Sequence, residues 1–323
     1  MEQGGLVKAY LLDGNGGGIR IGWQEVEQWQ AGDALLWLHL DYSHPFVRQW
    51  LKERKGLDYL VVDNLLSEDS RPRCTPFHAG LLMGLRGVNL NPGADPEDMV
   101  AIRLWIDEHC VISTGKRNLT SIDDMQWAIE QGEGPGSPGE FLARVFEYVM
   151  NRIGDVVEDF EETFDGLEEQ LMAEESNVMR PVLSTLRRQI IELRRYLAPQ
   201  REALGHLQIS KIVWLEDVDR MRLREVADRL VRYVEELDSV RDSSIVLHEE
   251  LISRLSEQIN KRMYALSLVA TIFMPLSFLT GLLGVNLGGI PGADSKWGFL
   301  VFVGMILGVF VVQLLYLKKM KWI

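Results

Sequence analysis

Cysteine is nearly absent from this 323-residue chain: Cys74 and Cys110 are the only two, far apart and without CxxC spacing. That excludes a disulfide framework and a structural zinc site, and two thiols suit a reducing cytoplasm. Basic residues are scarce as well, 34 Lys and Arg against 47 Asp and Glu, for a net charge of −13. A nucleic-acid partner is disfavoured, because phosphate backbones need clustered Lys and Arg. The acidic field instead raises the local concentration of cations. The six histidines, His39, His44, His78, His109, His206 and His248, form neither HxH nor HxxxH. His39 and Asp41 share one strand face as a lone pair, which does not make a ligand set. The glycine run Gly14–Gly18 lacks GK[ST] and leads into a strand, so it is not a phosphate loop. No Ser/His/Asp or paired-carboxylate arrangement is present, and no enzyme is expected. The N-terminus has no basic start and no apolar stretch, so no signal peptide is expected.

Charge is what the C-terminal segment lacks. Met263 to Val285 holds no charged residue in 23 positions, and Trp297 to Leu317 holds none either. About 20 apolar residues cross the hydrocarbon core, so the two runs predict a transmembrane hairpin. From Met263 onward only Asp294, Lys296, Lys318, Lys319 and Lys321 are charged, so this tail carries +3 and residues 1–262 carry −16. Lys261 and Arg262 precede the first span and the three lysines follow the second, which places both ends and both termini in the cytoplasm. Trp297 and Trp322 fall at the expected interfaces. Only the segment from roughly Asn286 to Lys296 lies outside, too little for a ligand-sensing ectodomain. Two helices do not enclose a polar pore, so a transporter built from them must assemble around an axis.

No Gly or Pro occurs from His206 to Met274. Val226, Leu230, Tyr233, Leu237, Val240, Leu247 and Leu251 recur near a 3.5-residue period with a break at Ser244. One helix of ~100 Å running from cytoplasm into membrane is predicted. Gly139 to Glu175 reads as a helix with Phe141, Val145, Tyr148, Ile153, Val156, Phe160, Phe164 and Leu167 on its apolar side. Pro181 opens the next helix, which carries LRRQIIELRRYL from Leu186 to Leu197, and Pro199 ends or kinks it. Its arginine pairs are expected to face water or acidic helices such as Glu158 to Gln170, and not a ligand. Before the linker-like Gly132 to Gly139, Val7–Leu12 with Gly18–Trp23 and Met99–Ile106 with Cys110–Ser113 read as hairpins, and Ala34–Leu40 as a buried strand. Helices are expected near Pro45–Lys55 and Ser121–Gln131. The predicted division is an α/β cytoplasmic domain over 1–138, a helical stalk over 139–262 and the transmembrane hairpin over 263–323.

The first span ends in Gly284-Val285-Asn286, and ATIFMPLSFLTG (Ala270 to Gly281) leads into it. A C-terminal two-span hairpin with GxN at its outer turn resembles the CorA family of divalent-cation transporters. GVNLGGIPG (Gly284 to Gly292), SRPR (Ser70 to Arg73), WLHLDY (Trp37 to Tyr42) and RRYLAPQR (Arg194 to Arg201) resemble its zinc-transporting ZntB branch. Magnesium-transporting relatives carry Met between Gly and Asn and then Pro-Glu; the Val285 and uncharged LGGIPG of this chain favour zinc by resemblance. The resemblance implies a homopentameric funnel in the bacterial inner membrane, surrounded by lipid, that moves Zn²⁺ and needs no bound cofactor. It implies Asn286 as the outer contact for a hydrated ion, and a pore lined by Asn260, Met263, Leu266, Ala270, Met274, Ser277 and Gly281. Spacings of three and four put those seven on one helix face. Met263, Leu266 and Met274 would be apolar constrictions. Uptake, export and proton coupling are all compatible with the resemblance. Two other readings compete: a magnesium, cobalt or nickel channel, and a membrane-anchored cytoplasmic sensor with the long helix as its rod.

Overall fold

The computed structural model describes residues 4–54, 56–68, 71–78, 80–172, 179–284 and 295–320. Residues up to His248 and residues from Glu249 onward form two compact units.

The first unit is built on a seven-stranded sheet ordered β2-β1-β3-β7-β6-β5-β4. The strands are β1 (Leu6–Leu12), β2 (Gly18–Arg20), β3 (Leu35–Asp41), β4 (Arg73–Phe77), β5 (Gly80–Gly87), β6 (Val100–Ile106) and β7 (Cys110–Gly115). Among these strands only β3 and β7 run parallel; every other neighbouring pair is antiparallel. Alternation along β3 serves two layers. Leu36, Leu38 and Leu40 pack on one face with residues of α1 (Trp23–Gln28), α2 (Pro45–Glu53) and α3 (Tyr59–Leu65). On the other face Trp37 stacks on Tyr10 at 5.8 Å and meets Phe141 at 5.2 Å. Phe141 belongs to α5 (Pro138–Met172), which packs beside α4 (Thr120–Glu130) and α6 (Met179–Ile209). The expected hairpins, the β3 strand and the α2, α4 and α5 helices are all present.

A polar cluster sits under this second layer. Lys8 Nζ pairs with Asp123 Oδ1 at 2.6 Å. Ser113 has one hydroxyl proton and gives it to the Leu38 carbonyl at 2.9 Å. It must therefore accept from both Trp37 Nε1 and His39 Nδ1, which places the imidazole proton on Nδ1. Burial, with the nearby Lys8 charge, pushes the His39 pKa down to about 4.

Two expectations about the helices need correction. The run without Gly or Pro does not form one helix from His206. α6 ends at Ile209, and α7 spans Asp217–Leu283, 67 residues and ~100 Å. The break is built from side chains. Ser210 Oγ donates to the His206 carbonyl at 2.7 Å. Arg220 donates to the carbonyls of Ser210 and Ile212. Ile212, Trp214 and Leu215 are buried in the turn, and Asp217 and Asp219 follow in the first turn of α7, where acids suit the helix dipole. Of the two outcomes expected at Pro199, an end or a kink, the end does not occur, because α6 continues ten residues beyond it. Proline forfeits one backbone hydrogen bond there, and burial of Leu197, Ala203, Leu204 and Leu207 on either side offsets it.

In the stretch of α7 up to Leu251, Leu223, Val226, Leu230, Val234, Leu237, Val240, Leu247 and Leu251 are buried. Ser244 does not interrupt this stripe. It is fully buried within it, its hydroxyl bonded back to the Val240 carbonyl at 2.6 Å, so the polar group is satisfied inside its own helix. Arg194 of α6 grips Asp238 of α7 through two contacts, Nε–Oδ1 at 2.7 Å and Nη2–Oδ2 at 3.0 Å. On α5 the glycine Gly154 leaves room for the Tyr233 hydroxyl, which lies 2.5 Å from where a Cβ would stand.

Candidate ion pathway along the C-terminal helices

Among the described residues two helices are long and apolar enough to cross a membrane: α7 in its C-terminal part, and α8 (Gly298–Lys319). Between Met263 and Gly284, and between Trp297 and Leu317, no side chain is charged. No three described His, Cys, Asp or Glu side chains come together as a metal-binding group.

All seven candidate pore positions fall within the helical part of α7. At 100° per residue, Asn260, Met263, Leu266, Ala270, Met274, Ser277 and Gly281 occupy an arc of about 120°. In the isolated chain this arc is uncovered: Met263, Leu266 and Met274 are 61 %, 71 % and 69 % exposed. The half-buried residues of the same segment are Leu268, Ile272, Leu276 and Leu279. They fall in an arc of about 80° centred on the opposite side of the helix. On α8 the half-buried set, Phe302, Val303, Ile306, Val309, Phe310, Gln313 and Leu314, has the matching three-and-four spacing. One side of α7 is thus partly covered and the opposite side carries the seven candidate pore positions.

A polar contact joins the two helices. Pro275 lies inside α7. Having no N–H, it leaves the Thr271 carbonyl without its helical donor. Gln313 of α8 supplies one: its Nε2 lies 3.4 Å from the Thr271 carbonyl oxygen. An apolar span tolerates an internal proline where a neighbouring helix satisfies the freed group in this way. Thr271 and Thr280 return their own hydroxyl protons to the carbonyls of Ser267 and Ser277.

Gly284 closes α7, its N–H bonded to the Thr280 carbonyl at 2.9 Å. Val285 and Asn286, the rest of the expected GVN motif, lie outside the described residues, as do Asp294, Ser70, Lys321 and Trp322. Sequence reasoning missed the Gln313–Thr271 contact. The sequence shows a proline in one apolar span and a lone amide in the other, but not the register that pairs them.

Comparison with known proteins supplies the context. The profile of the CorA-like Mg²⁺ transporter protein family matches residues 32–319. The zinc transport protein ZntB of Pectobacterium carotovorum is 38 % identical over 323 residues, covering 100 % of this chain and 98 % of that protein. The divalent cation transporter CmaX of Pseudomonas aeruginosa is 38 % identical over 325 residues, with the same coverage. The solved structure of full-length CmaX superposes with a TM-score of 0.87 at 38 % identity, covering 100 % of this chain and 99 % of that one.

Proposed function

The chain belongs to the CorA-like Mg²⁺ transporter family, whose members are transporters and not enzymes, and from that premise we propose that it conducts divalent metal cations, zinc first among them, across the bacterial inner membrane. The conducting unit is a homopentamer in which each protomer turns one face of α7 toward a central axis. The division into an α/β domain (1–138), a helical stalk (139–262) and a hairpin (263–323) assigns cytoplasmic, coupling and conducting roles in that order. Both termini lie in the cytoplasm.

One observation carries the pore assignment: the candidate face of α7 is uncovered in the single chain, while the side half-covered in the same segment is the opposite one. Five such faces around an axis would exclude lipid and enclose a path. The chemistry of that path is sparse. Its donors are the amide of Asn260, the hydroxyl of Ser277, the thioethers of Met263 and Met274 and, at the outer mouth, the amide of Asn286. A dehydrated Zn²⁺ prefers His, Cys or carboxylate, and the path offers none. The ion therefore travels with its water, held by Asn286 through that hydration shell. Met263, Leu266 and Met274 act as constrictions that close by dewetting. Neither span holds Asp, Glu or His, so any proton coupling runs through hydrated routes or groups outside the spans.

Zinc is favoured by the relatives named ZntB and by the uncharged LGGIPG after Asn286. Magnesium is the second reading, favoured by the family's own description. Radiometal flux into proteoliposomes, with Zn²⁺ and Mg²⁺ compared with and without a pH gradient, separates the two. Flux of neither ion would refute both and favour a membrane-anchored sensor.

A further inference from the structure

Several arginines of this acidic chain are held by a carboxylate. Arg194 has Asp238, Arg152 has Asp124, Arg117 has Asp98, and Arg144 and Arg222 share Glu140. Arg180, Arg187 and Arg188 of α6 are not. These three engage in no ion pair or hydrogen bond among the described residues. They converge instead on a groove of about 480 Å³, which they line with Ser184, Glu192 and, from α7, His248. Leu183 and Ile191 are its apolar lining. The arginine pairs expected to face water or acidic helices thus divide: Arg194 meets Asp238 of α7, and Arg187 and Arg188 meet no carboxylate among the described residues.

Spacing explains the convergence. Positions 180, 184, 187, 188 and 191 recur at three and four residues and so share one side of α6. Three guanidiniums against one carboxylate make a local positive field on a chain of net charge −13. The guanidinium fork matches the oxygens of a phosphate two at a time, and Ser184 and His248 add donors that a phosphoryl group accepts.

We propose that this groove is a binding site for a phosphate-bearing anion of at least two negative charges. A headgroup of an anionic phospholipid and a soluble phosphoester present the same chemistry to it. Either would be held by α6 and by His248 of α7 together, tying the two helices at that level. α7 is also the helix that carries the candidate pore face, so occupancy would act on the transporter through α7.

The test uses the full chain in detergent, titrated calorimetrically with inorganic pyrophosphate. Saturable binding is expected, weakened at least about tenfold in the Arg187→Gln/Arg188→Gln double variant and tightened in Glu192→Gln, which removes the carboxylate lining the groove. Repeating the titration in nanodiscs identifies the source. Loss of pyrophosphate affinity in phosphatidylglycerol but not in phosphatidylcholine assigns the site to a lipid headgroup. Unchanged affinity in both assigns it to a soluble phosphoester. No saturable binding by wild type in detergent or in phosphatidylcholine overturns the proposal. So does equal pyrophosphate affinity in wild type, the double variant and Glu192→Gln. A double variant that changes oligomeric mass, in a protein that does not bind pyrophosphate, would give these guanidiniums to a second copy instead.

Discussion

Replacing Gln313 with Met should destabilise the hairpin, and the loss should vanish when Pro275 is also replaced by Ala. The reasoning rests on one carbonyl. Thr271 lacks its helical donor because residue 275 is proline, and Gln313 Nε2 stands 3.4 Å away in its place. That distance is long for N–H···O, so the bond belongs at the modest end. Interhelical hydrogen bonds in membranes average ~0.6 kcal/mol and reach ~1.7 kcal/mol. Gln313→Met should therefore cost about 0.5 kcal/mol. Met preserves the length of the side chain, so packing changes little. In the Pro275→Ala background, the backbone N–H restored at position 275 donates to the Thr271 carbonyl itself and the amide of Gln313 is redundant. There Gln313→Met should be neutral or stabilising. The assay is unfolding of the full chain in bicelles along the four corners of this double-mutant cycle, with an expected coupling of about 0.5 kcal/mol. An equal cost of Gln313→Met in both backgrounds would refute the pairing.

Other consequences are as specific. Asn286→Ala should reduce Zn²⁺ flux in proteoliposomes by at least about tenfold with unchanged protein yield; unchanged flux would remove Asn286 as the entry contact. Ser244→Ala should be neutral or stabilising by ~0.5 kcal/mol, because it deletes a bond satisfied within its own helix and gains helix propensity; thermal unfolding checks this. Gly154→Ala should destabilise by about 1–3 kcal/mol, since the added methyl meets the Tyr233 hydroxyl, and Gly154→Ala/Tyr233→Phe should recover part of the loss. For His39 the folded pKa of about 4 lies below the ordinary value of 6.5. Between those values the unfolded chain binds a proton that the folded one refuses. Stability is therefore full above pH 6.5 and declines as pH falls toward 4, by on the order of 3 kcal/mol in all. His39→Asn, which keeps a donor for Ser113, should flatten that limb of a stability–pH curve.

The hairpin was legible in the sequence because its signal is an absence of charge, which needs no knowledge of what packs where. The seven pore candidates came instead from the resemblance to the CorA family, and their spacing adds that they share one face of α7. What stayed hidden depended on contacts between distant segments. β4 escaped because RCTPF carries Pro76 and little apolar character, and edge strands tolerate proline. β5, GLLMGLRG, is buried at every position and has no alternation because both its faces are covered. The α6–α7 break at 210–216 contains neither Gly nor Pro. It is made by Arg220 reaching back to two carbonyls and by Trp214 going inside, which spacing cannot reveal. Ser244 misled for a related reason: polarity marked it as a break, while its own helix supplied the acceptor that lets it be buried.

The central claim is that the uncovered face of α7 lines the cation path, and cysteine substitution reads it directly. In a Cys74→Ser background, where the remaining native thiol of Cys110 is buried, Ala270→Cys and Ser277→Cys would be compared with Ile272→Cys and Leu276→Cys. Zn²⁺ flux into proteoliposomes would be measured before and after a charged methanethiosulfonate reagent. The account predicts block at 270 and 277 and undiminished flux at 272 and 276. Block at 272 and 276 with none at 270 and 277 would contradict it.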